Sequence, residues 1–181
     1  MTEAEAWKIL TFLRAAFPRQ EIGEETLTVY LDALKPLEAD QVLRAARYHV
    51  ACEKFFPTLS ELLKPVAEEL VGMSAEEAWL EVMHAISAWG RYRGWFWPDM
   101  PLLQLAVDAI GKENLCNSTN LAVERAHFMR IYESYRASEL ARAKVAPLEG
   151  RKYQPRLGAY VSVGDALRQL YLPPPSEDDN E

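Results

Sequence analysis

His49 and Glu53 stand one helical turn apart in the run HVACE, with Cys52 between them. Imidazole, carboxylate and thiolate are all metal-ligating groups, and no other stretch of the chain suggests a metal as directly. Zinc takes three or four protein ligands. No second HxxxH, HExxH or CxxC supplies the rest. The expectation is a histidine at the edge of a core beside a small buried thiol, and no metal site. No GxxxxGK[ST] loop cradles phosphates, no GxGxxG follows a strand, and no serine sits in GxSxG. A Cys–His nucleophile pair has no local support. Glu76 and Glu77 open a helix, where they complement its dipole. Glu24–Glu25 and Glu68–Glu69 are ordinary solvated helix positions. The residues therefore point to a protein that is not an enzyme and needs no cofactor.

The run GRYRGWFWP, residues 90–98, is unlike the rest of the chain. Arg91 and Arg93 flank aromatic residues that could stack on a base or anchor a partner protein, with Trp95 and Trp97 as the candidate contacts. The alternative is that these rings staple two helices together, and that reading is preferred. Arg142, Lys144, Arg151, Lys152 and Arg156 form a second candidate contact region. Their spacing is too irregular for one stripe, and an exposed helix covered by long basic stems explains them equally well.

Helices must position these groups. Apolar residues recur at three- and four-residue spacing through most of the chain. The first helix spans about residues 2–17, with Trp7, Leu10, Leu13 and Phe17 inward, and Pro18 stops it. The second spans 24–35, with Leu27, Tyr30, Leu31 and Leu34 inward. The third spans 38–54, with Val42, Ala45, Ala46, His49 and Val50 inward. Thr2/Glu5, Thr58/Glu61 and Ser74/Glu77 each have the spacing of a capping box. Gly72 closes the fourth helix. The fifth runs to Trp89, the sixth covers 101–110 and ends at Gly111, and a long seventh covers about 118–144. At 1.5 Å per residue the seventh is about 40 Å long, enough for its end to project.

The fold class expected is all-α. A four-helix unit (1–72) is followed by a three-helix unit (73–145), then a linker, a short amphipathic segment and an acidic tail (146–181). The amphipathic segment carries Leu167, Leu170, Tyr171 and Leu172.

The chain has 181 residues and a formal net charge of -7. Residues 1–116 hold 18 acidic and 11 basic side chains, residues 117–176 hold 5 and 9, and the last five residues add -4. An acidic total argues against coating nucleic acid by charge alone. Two cysteines, far apart in sequence, build no disulfide framework and suit a reducing cytoplasm. The acidic start MTEAEAW does not read as a secretory signal. No apolar run approaches the ~20 residues that span a bilayer.

The N-terminal part resembles the phage helicase loader and inhibitor family known from Bacillus phages. The residues that carry the resemblance are Phe17-Pro18 at the end of the first helix, YLDAL (30–34) in the second, and Phe56-Pro57-Thr58 with Glu61 at the entry to the fourth. EEAWLEV, Gly90, AVDAIG, NLCNS and RAHFMRIYESY fall in the order seen in longer prophage relatives. The likeness then covers about residues 4–140. It implies an adaptor, not itself an ATPase, that binds a DnaB-type hexameric helicase, holds it inactive and delivers it to an initiator protein or single-stranded DNA. It also implies a flexible C-terminal region that engages the helicase. Leu167, Leu170, Tyr171 and Leu172 are the residues expected to make that contact, because their apolar face has no core to join. The localisation implied is the host cytoplasm. The competing reading is a helical DNA-binding replication or packaging protein that uses the basic third and the aromatic loop.

Overall fold

The computed structural model describes residues 1–155, and no strand occurs among them. Arg156 and the segment carrying Leu167, Leu170, Tyr171 and Leu172 lie outside the described residues. Four helices come first: α1 (Glu3–Ala16), α2 (Glu24–Leu34), α3 (Ala39–Cys52) and α4 (Leu59–Val71). Each boundary has a local cause. Thr2 caps α1 through its hydroxyl while Glu5 reaches back to the Thr2 amide, and Thr58 and Glu61 repeat the exchange at α4. Such caps satisfy amides that the helix leaves without partners, each contributing about 1 kcal/mol. Gly72, at φ 81°, ends α4 in a conformation that a side chain would strain.

The first core gathers Leu10, Leu13, Leu27, Leu34, Val42, Leu62 and Val66, all essentially shielded from solvent. The face of α1 differs from the expectation at one position. Ala6 and Ile9 are buried with Leu10 and Leu13, whereas Trp7 is 40% exposed. A small residue at position 6 lets the helix approach its neighbours, which turns the bulky ring to the rim of the core.

The second core belongs to α5 (Ala75–Trp89), α6 (Pro101–Ile110), α7 (Lys112–Asn117) and α8 (Leu121–Leu148). Trp79, Val82, Leu103, Ala106, Leu115, Phe128 and Tyr132 fill it. The short α7 has no counterpart in the periodicity, because six residues are too few to show a face. It places Leu115 into the core.

The end of α8 does not project. The helix packs along α6 and α5 and then along α4 and α2. Phe128, Tyr132, Glu139, Ala143 and Ala146 form one buried stripe. The helix also continues through Pro147 to Leu148. A proline in the last turn gives up one amide donor at a place where the helix is ending anyway. Across the α4–α5 junction, the Tyr132 hydroxyl and Arg136 Nε donate to the Met73 carbonyl at 3.0 and 3.1 Å. The long helix thereby holds the two cores together. A cavity of about 270 Å³ remains at the crossing, lined by Leu70, Met73, Met100, Leu103, Tyr132 and Tyr153 among others.

Candidate functional site

The HVACE turn is structural. The His49 ring is buried, packs edge-on to Phe17 with centroids 5.9 Å apart, and its Nε2 donates to the Phe55 carbonyl at 2.9 Å. Cys52 and Glu53 are exposed, so the thiol is not the small buried group expected. Among the described residues no three His, Cys, Asp or Glu side chains converge as a metal site would require.

The residues that carry the family resemblance meet in space. Phe56 contacts both Phe17 and Tyr30, at centroid distances of 6.4 and 5.8 Å. The Tyr30 hydroxyl donates to the Pro57 carbonyl at 2.9 Å, and the Phe56 amide donates to Gln20 Oε1. The Phe-Pro-Thr turn and the Phe17-Pro18 turn are thus clasped together over the first core. Burial holds the Tyr30 phenol above its ordinary range.

The α5–α6 connection divides its rings. Trp95 and Trp97 are each 7% exposed and join the second core. Trp95 Nε1 donates to the Gly90 carbonyl at 3.0 Å, which ties the loop back on itself. The Trp97 amide donates to Gln104 Oε1 at 3.1 Å. The two tryptophans are therefore the staples and cannot offer their faces to a partner. Tyr92 and Phe96 take the outer positions, at 85% and 73% exposure. Arg91 lies 5.0 Å over the Tyr92 ring and donates to its hydroxyl at 3.0 Å. Lys112 at the start of α7 donates to the Arg93 carbonyl at 3.1 Å. Lys112 had no motif to mark it, since it reaches the loop from 19 residues away. Burial raises the pKa of the Cys116 thiol, and the positive charges of Lys112 and Arg91 oppose that rise. Contacts join Arg91 to Tyr92 and Lys112 to Arg93 at one exposed corner, and Phe96 is exposed on the same loop.

Three basic residues of the last third form ion pairs within the chain, two of them on the surface. Arg142 pairs with the buried Glu139 at 2.6 Å, and the Tyr153 hydroxyl donates to the other Glu139 oxygen at 2.7 Å. Burial first, and the adjacent carboxylate second, push the Tyr153 phenol well above its ordinary range. Arg151 pairs with Glu149, and Lys152 with Glu38 at 2.9 Å, which holds the Glu38 carboxyl below its usual range. Lys144 is half-buried. These contacts fasten residues 151–155 back onto α8 and the start of α3. Their sequence signal was the acidic Glu139 on the apolar stripe of α8, a position that calls for a polar partner.

Residues 1–63 match the family model for the N-terminal domain of a Bacillus phage helicase loader/inhibitor. The match ends inside α4, before the second core. The chain matches no curated protein and no solved structure. The clasped turns and the match cover the same segment, so over residues 1–63 the chain is similar to the N-terminal domain of the phage helicase loader/inhibitor family.

Proposed function

We propose that the chain is a non-enzymatic adaptor of DNA replication that binds a DnaB-type hexameric replicative helicase, restrains it and helps deliver it at the origin. The match of residues 1–63 carries this reading. An origin-binding initiator is the second partner it calls for, and the host cytoplasm is where the work would be done. The helicase contact is assigned to Leu167, Leu170 and Tyr171, an apolar set spaced as one helical face, with Leu172 beside them.

Light scattering on a size-exclusion column tests the reading, with the full chain and a hexameric replicative helicase of its host, with and without ATP. A stable co-eluting complex is expected in at least one nucleotide state. Removal of residues 156–181 should abolish it while leaving the helical body folded. Absence of a complex in both states contradicts the reading. A complex that survives the truncation moves the contact to the helical body.

A further inference from the structure

We infer that the exposed corner of the α5–α6 loop and α7 is a platform for single-stranded nucleic acid, with bases stacking on Tyr92 and Phe96 while Arg91, Arg93 and Lys112 meet the phosphates. The inference is independent of the helicase reading, because the corner lies wholly outside residues 1–63.

Four observations carry it. The fold uses the other two rings of this loop, Trp95 and Trp97, and leaves Tyr92 and Phe96 in water, where they contribute little to the core. The loop is held in place from three sides: by Trp95 on Gly90, by Lys112 on Arg93 and by Gln104 on Trp97. A loop already ordered gives up less freedom on binding. The corner also carries positive charge that is not tied up in ion pairs. Arg44, Arg142, Arg151 and Lys152 each pair with a carboxylate. Arg91 and Arg93 form no ion pair among the described residues. Finally, the guanidinium of Arg91 lies over Tyr92, so cation and ring are presented together.

The ligand class follows from these features. Three residues, the buried Trp95 among them, lie between the two rings, and no ring contact joins them among the described residues. Protein interfaces concentrate apolar contact at the centre and deplete charge there. Single strands offer one base per ring and a phosphate between bases, which suits alternating aromatic and basic residues. A duplex hides its base faces and would leave the rings unused.

The experiment is fluorescence anisotropy of a labelled oligothymidylate, on the order of ten nucleotides, titrated with the full chain at low salt. Binding is expected, with an affinity that falls as salt rises, since phosphate contacts release counterions. The double variant Tyr92→Ser/Phe96→Ser should bind about ten-fold more weakly or worse. Tyr92→Trp should bind at least as well as the parent. Arg93→Gln should reduce the logarithmic salt slope by about 0.7. Circular dichroism should show the double variant still helical, as its altered residues face solvent. If it is not, the charge reversal Arg93→Glu carries the test and should abolish binding. No binding by the parent chain overturns the inference, as does equal binding by the double variant. Loss of helicase co-elution in the double variant, with oligothymidylate binding unchanged, also overturns it and assigns the corner to a protein.

Discussion

The two units assemble their clustered aromatic residues differently. In the N-terminal unit, Phe17, Tyr30 and Phe56 come from three different segments and converge, and nearby polar groups close the turns that carry them. In the second unit a single connection divides its rings, with Trp95 and Trp97 inward and Tyr92 and Phe96 outward. The outward pair lies beside arginines that form no ion pair among the described residues. The first arrangement makes a closed scaffold. The second makes a scaffold that also displays something. The family match covers the closed part and stops before the displaying part. The extension thus adds a second exposed aromatic surface to the Tyr48 and Phe55 rings that the matched residues already expose.

The comparison can be broken most severely at Phe128. This ring is fully buried between Trp79 and Tyr132. Phe128→Ala should destabilise the second core by about 3–5 kcal/mol, the usual loss for a deleted core aromatic. Thermal unfolding should then show whether α8 couples the units. A single transition at lower temperature is expected, because the same helix packs on α4. Two separate transitions would mean that the cores are independent.

Glu139 comes next, since Arg142 and Tyr153 both depend on it. Glu139→Ala should cost about 1–3 kcal/mol by denaturant unfolding, the penalty for stranding partly buried polar groups. Tyr30→Phe should cost about 1 kcal/mol by the same measurement, the worth of one hydrogen bond from the clasp to Pro57. Lys152→Ala, by contrast, should leave the midpoint unchanged, because its pair with Glu38 is exposed and solvent-screened.

The pH dependence distinguishes the regions as well. Backbone hydrogen bonds from Thr2, Thr58 and Ser74 hold Glu5, Glu61 and Glu77 below their ordinary value of 4.5. Their stabilisation is present above that value and is lost as pH falls through the depressed one, so acid weakens helix starts in both units. Tyr30, Tyr132 and Tyr153 are raised above their ordinary value of 10, chiefly by burial. Their stabilisation is complete below pH 10 and is lost as pH rises beyond it. Alkaline unfolding followed by circular dichroism should begin above that pH, and Tyr153→Phe should reduce its steepness.

Much of this architecture was legible in the residues. Three capping boxes and the glycine stops mark helix ends because each is a local hydrogen-bond pattern. The choice among the rings of residues 90–98 was not legible in the same way. All are bulky, and the contacts that go with the inward rings, from Gly90, Trp89 and Gln104, have no signature in the spacing of the run. The path of α8 was hidden for a related reason. Its buried stripe includes Glu139, small alanines and a proline, so little apolar contrast marks the half that lies on α4. Trp7 stands at the rim against expectation because hydrophobicity alone ranks it above Ala6, whereas close helix packing favours the smaller residue.

The most direct test of the account measures the ATPase rate of a hexameric replicative helicase against increasing amounts of this chain. The parent chain and the Tyr92→Ser/Phe96→Ser variant should both suppress the rate, and to the same extent, since the proposed helicase restraint and the proposed platform rest on separate parts of the chain. A helicase rate that stays constant up to saturating amounts of the parent chain would contradict the central claim.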